Sequence, residues 1–239
     1  MKSTSIITLV LSMLSLVFLI LLVFLRIPFP PFPLISYQDV FDILTPLVLI
    51  PIYWLLFRYS SSRSELAGEI IFMILASLWI QGQGMHLAAN SINNLISGLA
   101  DKQGIDMIPI DVVRLTYFFD EILSHFLWHF GVVGLAFLLI YRERRYPAGQ
   151  KTIWWAAIAG GLLYGFTLFT IFLEGQTIII GIPFVCFIVL FALIWGLNHL
   201  GQKPVLAFFF VSCLIAALFF AVWGLYWGGF PQFSEVGLI

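Results

Sequence analysis

Seven long apolar runs divide the chain, separated by short segments that contain most of its polar and proline residues. The runs cover approximately residues 5–25, 40–58, 66–97, 112–141, 152–173, 177–198 and 204–227. An α-helix needs about 20 predominantly apolar residues to cross the hydrocarbon core of a bilayer. The pattern therefore predicts an all-α, polytopic bundle of seven transmembrane helices, which form a single transmembrane domain over residues 1–239.

The first run has the position of a secretory signal peptide but differs from one in length and ending. It is as long as a full membrane span, and it runs into a proline-rich segment where a signal peptide has a small-residue cleavage site. We therefore expect it to be a retained first helix.

The composition supports a membrane location. Of the 239 residues, 62% are hydrophobic and 10% are charged, whereas soluble domains have about 25% charged residues. The formal net charge of −1 gives no basic surface for nucleic acid. We expect an integral protein of a plasma membrane or bacterial inner membrane, with membrane lipids around it, no nucleic-acid partner, and further subunits as an open alternative.

Basic residues alternate between the two sides of the predicted bundle. The N-terminus and the second, fourth and sixth loops carry Lys2, Arg58, Arg63, Arg142, Arg144, Arg145, Lys151 and Lys203. The other loops and the tail carry only Arg26, Lys102 and Arg114. Because short cytoplasmic loops are enriched in Lys and Arg, the distribution predicts a cytoplasmic N-terminus and an external C-terminus.

Ionisable side chains are concentrated in the third and fourth predicted helices. The third contains His86, and the fourth contains the segment from Asp120 to His129. Such groups cost about 2.5–3.5 kcal/mol each at the centre of a membrane helix and usually have a function. The two helices follow one another through a short connection, so they are expected to be antiparallel neighbours whose polar segments face each other in the outer half of the bundle.

Spacing within the fourth helix favours a metal site. Glu121, His125 and His129 are four residues apart and share one helix face. Glu121 and His129 are about 12 Å apart along the axis, too far to bind one ion through bonds of about 2.0–2.1 Å. We therefore predict that His125 and His129 chelate a metal ion, with His86 as the third ligand.

The neighbouring polar residues complete the predicted site. Three histidines plus water form the open arrangement of catalytic zinc. Glu121 is then an outer-shell group, a general base for a metal-bound water or a ligand of a second ion, and Asp120 orients a histidine or the water. The residues expected in the outer shell or beside a substrate are Gln83, Asn90, Ser124, Trp128 and Glu174.

Other interpretations of the same residues stay open. Buried histidines and carboxylates also pair with one another to stabilise a bundle, or line a path for protons or solutes. His86 with His125 or His129 is also a ligand pair for haem iron in a redox protein. A transporter, or a non-catalytic subunit of a membrane complex, is a further alternative.

The segment His125-Phe-Leu-Trp-His129 resembles the HxxWH element of alkaline ceramidases, and Asp120-Glu121 resembles their Asp-Glu pair. Those enzymes belong, with the progestin and adiponectin receptors, to a superfamily of seven-helix membrane proteins. The resemblance implies a zinc ion held by three histidines and hydrolysis of an amide or ester bond in a lipid. In the family these elements lie on different helices, whereas here they share one, and Gly82 stands where the family has a serine. The expected function is a zinc-dependent hydrolase of a lipid or lipid-like substrate from the outer leaflet.

Overall fold

The computed structural model describes residues 3–25, 27–32, 34–63, 65–103 and 109–238. Its helices are α1 (Thr4–Phe24), α2 (Tyr37–Tyr59), α3 (Leu66–Gln103), α4 (Ile110–Tyr117), α5 (Ser124–Arg145), α6 (Trp154–Glu174), α7 (Ile178–Phe191) and α8 (Pro204–Trp227). A π-helical turn, Phe118–Leu123, joins α4 and α5 into one continuous span. Seven helices are long and apolar enough to cross a membrane, which confirms the predicted all-α bundle. Lys2 and Arg26, two of the residues used to predict the orientation, lie outside the described residues.

The fourth span is longer at both ends than its predicted range of 112–141. It runs from Ile110 to Arg145, and its last turn is held by contacts with two other elements. Arg142 stacks on the ring of Phe57. The carboxylate of Glu143 accepts hydrogen bonds of 2.9 Å from the backbone N–H groups of Val205 and Leu206, in the first turn of α8. These contacts with α2 and α8 stabilise charged residues at the end of the helix. The helix therefore continues beyond its apolar run.

The exterior of the bundle is apolar, and its interior is rich in aromatic rings. Large exposed hydrophobic side chains occur on many helices; examples are Met13, Leu47, Met73, Ile194 and Leu225. The largest fully buried side chains include Tyr53, Phe57, Phe172, Phe208 and Phe209. A protein surrounded by water buries most of its large apolar side chains, whereas this distribution suits a bundle surrounded by lipid.

Glycines let α3 and α5 approach one another very closely. A Cβ atom at Gly82 would lie 2.4 Å from the backbone nitrogen of Trp128. One at Gly131 would lie 2.7 Å from the carbonyl oxygen of Leu75. Small residues commonly permit such contact between membrane helices. The close approach brings the helix that carries His86 against the helix that carries the other two histidines.

Candidate functional site

The π-helical turn Phe118–Leu123 contains both carboxylates of the predicted site. At its end, the backbone N–H of Ser124 bonds to the carbonyl of Phe119, five residues earlier. The Ser124 hydroxyl donates instead to the carbonyl of Asp120. The ring nitrogen Nδ1 of His125 lies 3.0 Å from the carbonyl oxygen of Glu121. Single π turns inside α-helices occur frequently at functional sites, and this one supplies backbone acceptors to side chains that follow it.

His86 and Asp120 form a buried contact between α3 and the π turn. Their Nδ1 and Oδ1 atoms are 2.9 Å apart, and the Asp120 side chain is 1% exposed. Neither His86 Nδ1 nor either carboxylate oxygen of Asp120 has a hydrogen-bond partner among the described residues. The two side chains are therefore in contact, and both keep hydrogen-bonding capacity for one another or for a further group.

His125 lies next to both other histidines. Its ring centroid is 4.7 Å from that of His86 and 6.0 Å from that of His129. Two imidazoles on one tetrahedral zinc ion would have centroids about 5 Å apart, given zinc–nitrogen bonds of about 2.0–2.1 Å. His125 thus lies between the other two histidines of the predicted site; its ring distance from His86 is close to that of two imidazoles on one ion, and its distance from His129 is longer.

His129 is held in a tight pocket formed by α6 and the start of α7. Its Nδ1 is 2.5 Å from the hydroxyl oxygen of Thr177, and its ring packs 5.1 Å from that of Phe172. A Cβ atom at Gly175 would lie 2.5 Å from the Cε1 atom of His129, so only glycine fits beside the ring. The Nε2 atom is buried and has no hydrogen-bond partner in the described part of the chain.

The three histidines therefore share one arrangement. In each, Nδ1 is beside an oxygen: the Asp120 carboxylate, the Glu121 carbonyl or the Thr177 hydroxyl. A histidine that binds a metal through one ring nitrogen usually donates its other N–H to such an oxygen, which fixes the ring and its tautomer. With Nδ1 as the donor, Nε2 carries the lone pair that a metal ion needs.

Asp42, a residue that the sequence analysis did not single out, joins the same region from α2. Its Oδ1 accepts a hydrogen bond of 3.1 Å from Gln83, whose own Oε1 accepts one of 2.8 Å from the Trp79 indole. Gln83 was predicted in the outer shell or beside a substrate; it is buried, and these bonds use its amide to hold Asp42. The signal in the sequence that could have identified Asp42 was the position of a carboxylate within an apolar run.

A cavity of about 250 Å³ lies among these groups and is lined by residues from five helices and the tail. Its polar lining includes Asp42, His86, Asn90, Glu121, His125, Trp128, Thr170, Glu174 and Gln232. Asn90, Trp128 and Glu174 line this cavity, and their place beside a substrate remains a prediction. Ser124 is fully buried, does not line the cavity, and bonds within its own helix.

Two further cavities adjoin this one. A larger polar cavity of about 460 Å³, formed by the α1–α2 loop and α3, shares Gln38 and Asn90 with it. A small apolar cavity of about 60 Å³, deeper in the bundle, shares Leu19, Leu22, Trp128 and Ile171 with it. The central cavity therefore has a polar side and an apolar side.

The segment after α8 folds back onto the C-terminal end of α6. Glu174 accepts a hydrogen bond of 2.7 Å from the backbone N–H of Phe233, and its carbonyl accepts one of 2.5 Å from Gln232. Gln232 also lines the central cavity. The tail thus covers part of the site, an arrangement that the sequence permitted but did not establish.

The side chains as they stand do not form a ready metal centre. Within the part of the chain that the structure describes, no group of three or more His, Cys, Asp or Glu residues is arranged to hold a metal ion. A metal ion at this place would have to draw the histidine Nε2 atoms closer together. The predicted ligands His86, His125 and His129 are therefore neighbours, and their use as a ligand set remains a prediction.

Comparison with known proteins gives no family. No family model matches the chain, and neither a curated protein nor a solved structure matches it. The evidence for function is therefore the geometry of the bundle itself, whose described residues include seven helices long and apolar enough to span a membrane, as in an integral membrane protein.

Proposed function

We propose that the chain is a membrane-embedded metal-dependent hydrolase whose metal ion, zinc by the chemistry of the ligands, binds Nε2 of His86, His125 and His129. The observation that carries the proposal is the shared arrangement of the three rings, each with Nδ1 beside an oxygen. A purely structural histidine pairs wherever a partner is available. Three neighbouring histidines with the same nitrogen beside an oxygen favour a common ligand for the other nitrogen.

The remaining polar groups have separate roles in this proposal. Asp120 and the Glu121 carbonyl hold His86 and His125 in their tautomers. The Glu121 carboxylate lines the cavity and is 25% exposed at the side chain, so it is placed to take a proton from water and pass it to a leaving group. A bound zinc ion would supply a water with a pKa near 7 and polarise a carbonyl.

The form of the cavities favours an amphipathic substrate. The central cavity meets a polar cavity at Gln38 and Asn90, and an apolar one at Leu19 and Ile171. A substrate with a polar head and a hydrocarbon portion fits this change in lining, and its scissile amide or ester would lie beside the histidines. A lipid or lipid-like molecule has this form.

The test is hydrolysis of a panel of fluorogenic amide and ester lipids by detergent-purified protein loaded with zinc. Glu121→Gln should lower kcat by about 10²–10⁴-fold, the usual contribution of general acid–base catalysis, while zinc content stays at the wild-type level. Asp111→Asn, an exposed carboxylate change at the start of α4, is the control and should leave the rate unchanged.

Several outcomes would contradict the proposal. Full activity after removal of metal by a chelator would exclude a metal-dependent reaction. An unchanged rate in Glu121→Gln would exclude its role as the base. A Soret band in protein from haem-replete cells would instead indicate the haem-binding redox protein that the same histidines allow.

A further inference from the structure

A second polar site lies at the opposite end of the bundle, where the α2–α3 loop meets the segment after α5. The backbone N–H of Ser62 donates a 2.9 Å hydrogen bond to the carbonyl of Tyr146, and Ser61 pairs with Pro147 in an isolated β-bridge. These bonds fix the two loops against each other. Between them is a cavity of about 160 Å³, lined by Arg58, Ser61, Ser62, Arg63 and Arg142.

Arg142 is the buried member of this group. The residue is 3% exposed, and its guanidinium lies 3.7 Å from the ring centroid of Phe57. Its Nη2 donates a 2.7 Å hydrogen bond to the carbonyl of Arg63. Its Nε and Nη1 atoms are buried and have no hydrogen-bond partner among the described residues. A guanidinium has five N–H donors and stays charged in proteins, so most of its hydrogen-bonding capacity is unused.

The nearby carboxylates are paired with the other two arginines. Arg58 lies 3.2 Å from Glu69, and Arg63 lies 3.7 Å from Glu65. Arg142 has no carboxylate within ion-pair distance in the described ranges. Two carboxylates thus face three guanidinium groups, and the guanidinium that has no carboxylate at ion-pair distance in the described ranges is the most buried of the three. Burying an unpaired charge is costly, so an anion at this cavity would remove an existing penalty.

We propose that this cavity, which we call the arginine site (Arg58, Ser61, Ser62, Arg63 and Arg142), binds a phosphate group. Guanidinium groups bind phosphate oxygens through paired, charge-assisted hydrogen bonds, and Ser61 and Ser62 line the same cavity. Basic pockets between transmembrane helices bind anionic lipid headgroups on the cytoplasmic side, which is the side predicted for these loops. The phosphate belongs either to a lipid headgroup or to a soluble phosphate, and the arginine site is independent of the proposed hydrolase.

The experiment measures binding to detergent-solubilised protein by calorimetry with three probes. They are dioctanoyl phosphatidic acid, inorganic phosphate, and dioctanoylglycerol, which has the same chains without phosphate. Arg142→Gln should weaken binding of the phosphatidic acid by about tenfold or more, because a hydrogen bond to a charged group contributes about 1.5–3 kcal/mol. Arg63→Gln, at an exposed position, should weaken it by a smaller factor.

Arg144→Gln is the matched control. It removes the same charge from the same helix end, but Arg144 stacks on Trp195 and does not line the arginine site. The affinity of Arg144→Gln for the phosphatidic acid should stay within about twofold of the wild type, because an exposed charge outside the site contributes little. If Arg142→Gln does not fold, as circular dichroism and gel filtration would show, the comparison of Arg63→Gln with Arg144→Gln decides the result.

The probes also distinguish the two sources. Tighter binding of the phosphatidic acid than of inorganic phosphate, lost in the variants of the arginine site, indicates a lipid headgroup. Equal binding of both, lost in the same variants, indicates a soluble phosphate. Equal binding of dioctanoylglycerol, no binding of either phosphate probe, or an equal loss in Arg144→Gln would overturn the proposal.

Discussion

At the residue scale, a different kind of group contacts each histidine of the proposed metal site. His86 is held by a carboxylate, His125 by a backbone carbonyl and His129 by a hydroxyl from another span. Removing a group that contacts a metal-binding histidine in this way typically lowers metal affinity by 10–100-fold. The proposed metal site can therefore be tested without altering a ligand.

Removing the charge of Asp120 should weaken metal binding through His86. In Asp120→Asn, we expect zinc affinity to fall by about 10–100-fold, as measured by competition with a chromophoric chelator. Asp111→Asn should leave the affinity unchanged, because that carboxylate is exposed at the start of α4. Equal zinc affinity in Asp120→Asn and the wild type would show that Asp120 does not support a ligand.

We expect the Thr177 hydroxyl to hold His129 in place and not to stabilise the N-terminus of α7. Thr177 precedes α7, yet its side chain makes no capping hydrogen bond; it contacts His129 instead. Thr177→Val should destabilise the protein by about 0.6–1.7 kcal/mol, the range for hydrogen bonds between membrane helices, and should weaken zinc binding. The measurements are unfolding in mixed detergent micelles and the chelator competition.

Thr167→Val is the control for that change, because the one hydrogen bond of the Thr167 hydroxyl within the described part of the chain goes to a carbonyl of its own helix. It should leave zinc affinity unchanged. The interpretation would fail if both valine variants changed zinc affinity equally.

The sequence identified some of these residues and not others, for a physical reason. His86, Glu121 and His125 stood out because ionisable groups are expensive inside a membrane span. Thr177 gave no signal, since a threonine costs little there and its contact with His129 depends on the packing of two helices distant in sequence. Asp42 did give a signal, but its link to the site passes through Gln83 on another helix.

At the element scale, the sequence predicted the spans but not the irregular turn within the fourth of them. The π turn Phe118–Leu123 changes the register between the Asp120-Glu121 pair and the histidines. An argument from four-residue spacing assumes a regular α-helix. It therefore does not predict that Asp120 faces His86. The composition of Phe118–Leu123 does not distinguish a π turn from an α-helix.

The close approach of α3 and α5 makes a prediction about two glycines on α3. Gly82→Ala should destabilise the protein by about 1–3 kcal/mol, the usual cost of overpacking, because its Cβ would meet the backbone of Trp128. Gly84→Ala, two residues later, should be neutral or stabilising, since a Cβ there meets nothing within 4 Å. Thermal unfolding in detergent compares the two variants, and equal stability would show that the helices are not in contact at Gly82.

At the scale of the whole molecule, the two ends of the bundle have different chemistry. The histidine and carboxylate cavity is near the end formed by the α1–α2 loop and the tail, and the arginine site is at the other. The charge bias of the loops predicts that the first end is external and the second cytoplasmic. The location of substrate and of any bound phosphate depends on this orientation.

Cysteine labelling of intact cells tests the orientation. In a background without Cys186 and Cys213, Ser234→Cys in the tail should react with a membrane-impermeant maleimide from outside. Ala148→Cys, in the segment after α5, should react only after the membrane is permeabilised. Both positions are exposed, so failure to label reports sidedness, and the reverse pattern would show the opposite orientation.

The most direct test of the account is the metal content of the purified protein, because the proposed function requires a metal ion beside His125. Plasma mass spectrometry should find about one zinc ion per chain in the wild type, as expected for one three-histidine site. It should find the same in His199→Ala, which changes the chain's fourth histidine, exposed just after the sixth candidate span. His125→Ala should lose the ion. Wild-type protein without metal from zinc-replete cells, or His125→Ala with its metal retained, would contradict the proposed site.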